Sequence, residues 1–522
     1  MRQREAPVVV ICGDVGTEPV PIRPGELVAR LRRELSGATA PLVLAEICGA
    51  SEALVEAVAT TESRRVVVGC RAASHRRGEL LARLRRAGVP TGGIALVDLQ
   101  TAEGCSAPVA LEQSVALLSA AVARVAGADV EVPVRERTSL SVGGVSRRSL
   151  LRGVNTARRF LAVWRPDRCS GAMACTPCAL ACPHGALHRS AGRMVVDPGR
   201  CNGCGVCVAA CRSGAFALPG AEIEGISAAA AVLVASMRRC RSVTGVAIVC
   251  QHSKWTPRVG EPWLALCVPS IEMVTAGWLL QLIRAGVGVR VVACEDEHCE
   301  KRVAELEHFV RDLSVVLGFS AAQELEATDR DGVYPIAEPA VADFAASGDR
   351  IELREPEATN EPLAAFGALG PGRDPWRVEG PGCSLGGVSI DAGGCSLCEV
   401  CVGVCVTGAL RSEPNSAGLC LSIDSGSCTA CGACVASCPE KVVTVTRAVD
   451  GALLAGGRRI VATGSAVECA TCGAPLVAVL SQKALRLRLG GSPSALTAGT
   501  ISVCADCRLG GRTVTASRRL AT

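Results

Sequence analysis

The chain has 522 residues, 49 % of them hydrophobic but only 2 % aromatic, so its cores must be packed from Val, Leu, Ile and Ala. Its 31 cysteines follow a start, MRQREAPVVVICG, without the apolar stretch and small-residue cleavage site of a secretory signal; this argues against a disulfide framework and for metal ligands in a reducing cytoplasm. The formal charge of +5 counts every thiol as neutral, whereas seven four-thiolate sites would add about −14, so the charge does not support nucleic-acid binding.

Residues 1–130 predict an α/β domain, with strands over 8–11, 42–47, 66–68 and 94–99 alternating with helices over 26–35, 52–59, 79–87 and 111–125. Strict alternation means a parallel sheet covered by helices. Cys12, Cys48 and Cys70 each follow a strand, and Cys105 lies a few residues beyond the fourth. In a parallel sheet these positions share the carboxyl edge, where ligands collect, so the four are expected to hold a cluster; the competing reading is ordinary buried cysteine. Residues 131–165 are an Arg- and Ser-rich linker. Its Ser146-Arg147-Arg148-Ser149-Leu150-Leu151 looks like a twin-arginine export motif but follows a whole domain, and reads as basic linker.

Residues 166–219 carry two quartets. Cys201, Cys204, Cys207 and Cys211 have the spacing C-x2-C-x2-C-x3-C, and Cys169, Cys175, Cys178 and Cys182, with Pro183 next, have C-x5-C-x2-C-x3-C. This is the bacterial two-cluster ferredoxin pattern, in which each triplet binds one cubane and the fourth Cys ligates the other. Cys169, Cys175, Cys178 and Cys211 are then one [4Fe–4S] ligand set, and Cys201, Cys204, Cys207 and Cys182 the next. Residues 220–325 again read α/β, with strands over 246–249, 263–266 and 287–293 and a helix over 271–285. Cys250, Cys267 and Cys294 end strands and Cys299 opens a helix, whose N-terminus favours negative charge; a [2Fe–2S] cluster is expected there, against buried structural thiols. The longest apolar run, from Ile226 to Ser236, is too short for a membrane span, which needs roughly 18 residues.

Residues 326–390 lack periodicity and read as linker or irregular structure. Residues 391–447 repeat the ferredoxin theme. Cys395, Cys398, Cys401 and Cys438 form one [4Fe–4S] set, and Cys428, Cys431, Cys434 and Cys405 the other. Residues 448–522 carry Cys469, Cys472, Cys504 and Cys507, two CxxC knuckles that fit a zinc-ribbon-like site or a single iron. Cys240, Cys383 and Cys420 have no assigned role. His184 and His188 read as local packing or surface; His252 and His298 flank the [2Fe–2S] ligands, where they are placed to tune the cluster, but read first as solvated loop residues. The fold class is thus multidomain α/β and α+β: parallel-sheet domains alternate with two ferredoxin-like 2[4Fe–4S] modules, and a zinc-ribbon-like module ends the chain.

Two resemblances accompany these motifs. Residues 246–312, through Cys250-Gln-His-Ser253, Leu266-Cys267 and Val292-Ala293-Cys294-Glu-Asp-Glu-His-Cys299, resemble the delta (iron–sulfur) subunit of methyl-viologen-reducing hydrogenases, which carries a [2Fe–2S] cluster. That family opens with CxxC, where this chain has Ser253. Arg65-Val-Val-Val-Gly-Cys70, Ser74-His75-Arg76, Ala87-Gly88 and Cys105 resemble the flavin-binding subunit of heterodisulfide reductase. There, four such cysteines hold an unusual [4Fe–4S] cluster, corresponding here to Cys12, Cys48, Cys70 and Cys105. That family's flavin domain does not follow, and no GxGxxG lies between a strand and a helix. The resemblances imply a cytoplasmic electron-transfer adapter in a hetero-oligomeric complex with a flavin, hydrogenase or formate dehydrogenase type partner, with no nucleic acid, no membrane span and no catalytic residues of its own. The alternatives are a redox- or iron-sensing regulator with a zinc module, and a self-contained disulfide-directed oxidoreductase. The regulator calls for aromatics among the arginines of 469–522, and there are none.

Overall fold

A computed structural model describes residues 6–13, 22–35, 41–45, 47, 52–61, 63–128, 130, 135–137, 159–169, 177–211, 214–237, 239–240, 242–253, 255–317, 333–337, 377–380, 383, 385–415, 418–450, 457–465, 471–472 and 507. Two compact units divide the chain, the first comprising Met1–Gly372 with Gly380–Ser384, the second Arg373–Glu379 with Leu385–Thr522.

The first unit opens with β1 (Val8–Cys12), α1 (Pro24–Glu34), β2 (Leu42–Leu44), α2 (Ala53–Ala59), β3 (Val66–Cys70), α3 (Arg77–Arg86), β4 (Ile94–Asp98) and α4 (Ala107–Gly127). The strands form one parallel sheet in the order β2-β1-β3-β4. β1 and β3 are buried at every position, which is why they read as unbroken valine runs rather than alternating ones. Each such side chain contributes about 1.5–3 kcal/mol by leaving water.

Among the described residues, α4 is the one helix long and apolar enough to cross a membrane by length and composition, although the longest unbroken apolar run lies at 226–236. Of its 18-residue apolar window 56 % is buried inside the protein, where its apolar residues cover the parallel sheet and a later helix. The expectation of no candidate span is corrected to that extent.

A short antiparallel pair, β5 (Arg135–Arg137) with β6 (Arg159–Leu161), precedes the first ferredoxin module. That module comprises β7 (Val163–Trp164), α5 (Pro177–Ala181), β8 (Leu187–Ser190), β9 (Arg193–Val196), α6 (Val206–Ala210) and β10 (Phe216–Ala217). β7 pairs with β10 and β8 with β9, all antiparallel. Ala191 and Gly192, at φ 47° and 75°, make the two-residue loop of the β8–β9 hairpin, the left-handed turn that matches strand twist. The module therefore reaches back into the segment read as linker.

α7 (Ile223–Met237) then packs along α4. A Cβ on Gly225 would stand 2.6 Å from the Arg124 carbonyl oxygen, so this close approach requires glycine. The middle domain follows as β11 (Gly245–Cys250), β12 (Trp263–Val268), α8 (Ala276–Arg284), β13 (Gly288–Val292), α9 (Glu297–Leu317) and β14 (Val333–Ala337). Its sheet has the order β12-β11-β13-β14, parallel except for β14. The single helix expected over 271–285 is a 3-10 turn at Ile271–Met273 followed by α8. Ser270 and Thr275 each cap a new start, by accepting the backbone N–H of Glu272 and Trp278. β14 lies in the segment read as irregular; it contains Pro335 and forms the sheet edge, where a missing N–H is tolerated.

The second unit comprises β15 (Arg377–Glu379), β16 (Gly386–Ile390), α10 (Val400–Gly403), β17 (Leu410–Asn415), β18 (Gly418–Asp424), α11 (Ala433–Ser437), β19 (Val443–Asp450) and β20 (Arg458–Ser465). β19 pairs with both β15 and β16, and β18 with both β17 and β20, all antiparallel. Strands on both sides of 391–447 thus belong to the second ferredoxin module, so part of the segment assigned to the C-terminal metal module serves its sheet instead. The remainder of that module lies outside the described residues except for Cys472 and Cys507.

Candidate metal centres

In both ferredoxin modules the cysteine triplets form loops that run directly into one-turn helices. Gly203 and Gly205 flank Cys204, Leu397 and Glu399 flank Cys398, and Ala430 and Gly432 flank Cys431, all with φ between 51° and 82°. Left-handed residues on either side of the middle thiol fold the loop into a concave backbone. Such concavities favour a negatively charged guest.

The thiols gather across the two halves of each module. Burial pushes the Cys401 thiol up to about 11, reinforced by Cys395, Cys398 and Cys438. It pushes Cys434 up to about 12, with Cys428, Cys431 and Cys405 adding to it. Cys207 is raised well above the usual thiol range by burial and then by Cys204, Cys201 and Cys182. In all three quartets the structure brings a triplet together with the fourth Cys of the other half. Crowded, buried thiols are costly to ionise one beside another, and a bound metal centre relieves that cost by taking up the thiolates. The donor set therefore fits cubane clusters. Cys169, Cys178 and Cys211 are described for the remaining quartet, and Cys175 lies outside the described residues.

Backbone N–H groups point at several of these sulfurs. Ala186 donates to Cys182 at 3.3 Å, Ala215 to Cys211 at 3.3 Å, Leu397 to Cys395 at 3.5 Å and Leu410 to Cys405 at 3.4 Å. Such bonds stabilise negative charge on sulfur and so raise a cluster's potential.

The middle domain brings three of its four candidates together. Cys250 ends β11, Cys294 follows β13, and Cys299 lies in the first turn of α9. Hydrogen bonds from Cys250 and Cys294 pull the Cys299 thiol well below the usual thiol range, while the contacts with Cys294 and Cys299 push Cys250 up. Ser270 Oγ lies 3.2 Å from Cys299 Sγ. Cys267 does not join them. Its register partner is Val249, and it packs with Ala247, Val249, Trp263 and Val292. Cys250 is one residue further along β11 and faces the other way, because side chains alternate along a strand.

This thiol trio adjoins the first ferredoxin module. The Nε2 of His184, two residues after Cys182, lies 3.0 Å from Glu272 Oε2, and its ring packs tilted at 42° against His298 with centroids 4.6 Å apart. His184, Cys204 and Glu272 place their ligand atoms within 4.8 Å of one another. Burial raises the Cys204 thiol, and the Glu272 carboxylate raises it further. Ser270 Oγ donates to Glu272 Oε1 at 3.3 Å. His184 and His298, read as packing or loop residues, stand at this junction. Glu272 and Ser270 carried no signal in the sequence, since only the fold brings them to Cys204 and Cys299.

In the N-terminal domain Cys12 and Cys70, just beyond the register pair Ile11↔Gly69, end adjacent parallel strands, and both are buried. Cys70 Sγ accepts the Ala72 N–H at 3.4 Å. Cys105 lies against Gly260, and desolvation raises its thiol. Cys48 lies outside the described residues, as do Cys469 and Cys504 in the C-terminal pairs. Of the unassigned thiols, Cys240 and Cys383 are buried, and Cys420 donates to the Glu413 carbonyl at 3.1 Å.

The 4Fe-4S binding domain family matches residues 194–217 and 421–444, one stretch in each ferredoxin module. No curated protein matches the chain. With two 4Fe-4S binding domains set among mixed α/β structure with parallel sheets, the chain is an iron–sulfur electron-transfer protein.

Proposed function

We propose that the chain is a relay subunit that passes single electrons between a redox partner and an acceptor, in a complex of the heterodisulfide-reductase or hydrogenase type. The partner is a flavin, hydrogenase or formate dehydrogenase type protein, in the cytoplasm, with no role for nucleic acid or a membrane span. In this reading the ferredoxin quartets hold four [4Fe–4S] clusters, Cys12, Cys48, Cys70 and Cys105 a fifth, and the middle-domain thiols a [2Fe–2S] cluster. The C-terminal knuckles hold zinc or one iron. Bound clusters supply one-electron redox chemistry; the chain's own residues hold them, bury them and link them.

The observation that carries this reading is the junction between the first ferredoxin module and the thiol trio. His184 to Glu272 (3.0 Å), Glu272 to Ser270 (3.3 Å) and Ser270 to Cys299 (3.2 Å) form a continuous line of polar contacts, in which the single Ser270 hydroxyl proton serves Glu272 or Cys299 in turn. It runs from beside Cys182 and Cys204 to a middle-domain thiol. A storage or structural site has no need of such a link, whereas a relay gains electronic contact from it.

Glu272→Ala and Ser270→Ala test the relay. After reduction with a viologen dye, freeze-quenched samples report how fast electrons pass from the cubane signals to the [2Fe–2S] signal. Several-fold slower transfer at unchanged iron content is the expected result. Wild-type rates in both variants would remove this junction from the path.

A further inference from the structure

The middle-domain site has three converging thiols and needs a fourth ligand, because both a tetrahedral ion and a [2Fe–2S] cluster take four protein donors. Cys267 faces the opposite side of the sheet, among Ala247, Val249, Trp263 and Val292. Ser253, at the place of a family cysteine, accepts the Trp255 N–H at 3.1 Å and so is engaged in its own turn. Ser270 donates to Glu272 and touches Cys299, which makes it an outer partner of the site.

We propose that His252 is the fourth ligand, completing a three-cysteine, one-histidine site with Cys250, Cys294 and Cys299. His252 Nδ1 lies 3.8 Å from Cys250 Sγ. Cys250, His252 and Cys294 place their ligand atoms within 4.8 Å of one another. A metal with a sulfur bond of about 2.3 Å and a nitrogen bond of about 2.0–2.1 Å, at a tetrahedral angle, separates the two donors by about 3.6 Å. Cys250 and His252 are thus spaced to share one metal atom. The chain reverses to allow this: Ser253 N–H bonds to the Cys250 carbonyl at 2.9 Å, closing the turn that swings the imidazole back over the strand end. Nδ1 rather than Nε2 is the ligand, because a residue two positions from its co-ligand reaches back with the nearer ring nitrogen. Neutral imidazole in place of thiolate leaves the site one negative charge poorer than an all-cysteine one. That sets it apart electrostatically from the cubane beside it, which has four thiolates and Glu272 as a neighbour.

The inference rests on the [2Fe–2S] reading, and the experiment separates the two. Full-length protein is prepared anaerobically as wild type, His252→Ala, His252→Cys, Cys267→Ala and Cys294→Ala. Metal content is measured, and pulsed electron paramagnetic resonance is recorded on reduced samples at temperatures where cubane signals broaden away. Wild type should show nitrogen coupling on a [2Fe–2S] signal. His252→Ala should lose that signal and its two irons, and His252→Cys should keep the irons but lose the nitrogen coupling. Cys267→Ala should match wild type. Loss of the signal in Cys267→Ala with retention in His252→Ala would overturn the ligand assignment. Zinc in place of iron, lost in His252→Ala and Cys294→Ala alike, would overturn the cluster type while upholding the ligands. No metal lost in Cys294→Ala would sink both.

Discussion

Gly205 and Gly432 occupy the same place in their loops, directly after the middle thiol of a triplet, at φ 82° and 73°. An alanine at either position must hold a left-handed backbone, which costs about 1–2 kcal/mol. Their surroundings differ. An added Cβ at Gly432 meets nothing within 4 Å, whereas one at Gly205 would stand 2.9 Å from Met273 Sδ, in the turn that also carries Glu272. Met273 is itself buried, so it cannot swing away freely, and overpacking of this kind adds about 1–3 kcal/mol. Gly432→Ala should therefore cost about 1–2 kcal/mol and Gly205→Ala about 2–5 kcal/mol. The rate at which a strong chelator strips clusters from anaerobic protein reads this difference, since about 1.4 kcal/mol is tenfold. Relative to wild type, Gly205→Ala should speed the loss of its cluster roughly 5- to 150-fold more than Gly432→Ala speeds the loss of its own, the excess of about 1–3 kcal/mol. Met273→Ala should recover most of the excess in the double variant, as expected for residues in contact. Equal rates for the two glycine variants would refute the claim that the first ferredoxin loop is seated on the middle domain.

The proposed cluster inventory amounts to about twenty-two irons per chain, five cubanes and one [2Fe–2S], with one further metal at the C-terminal knuckles. Iron below about sixteen after full reconstitution would remove a ferredoxin module from it, and Cys182→Ala should remove four irons from the set with Cys201, Cys204 and Cys207 rather than from the set with Cys178. Glu399 holds φ 58° where the other described triplets have glycine, so Glu399→Gly should slow cluster loss from the second unit by a factor equivalent to about 1 kcal/mol; a faster loss would mean that the carboxylate itself supports the loop.

The ferredoxin triplets were legible from sequence because their chemistry is local. Three thiols spaced by two residues can reach one cubane from a single turn of loop, and no distant strand is needed to define them. The meeting of each triplet with the fourth Cys of the other half was expected for the same reason, since the pattern repeats within each module. The strand–helix alternation of the first domain was equally plain: β1 and β3 are buried on both faces, and valine runs announce that by themselves. Only element ends moved, as at Cys70, which closes β3 instead of following it.

Tertiary structure decided what depends on register and on partners far apart in the chain. Cys267 ends an apolar strand just as Cys250 does, and no composition separates them. The pairing of Val249 with Cys267 sends their side chains to one face and Cys250 to the other, because the side-chain period is two and a shift of one residue reverses every direction. His252 was visible as a loop residue beside the thiols, and only the turn after Cys250 showed its ring coming back to Cys250 Sγ. Glu272 and Ser270 came to lie between the Cys204 and Cys299 thiols because the loop around Gly205, a glycine with no side chain to intervene, settles against the turn that carries them. Sequence determined which thiols could bind metal; the faces of one sheet and the seating of one loop determined which of them meet.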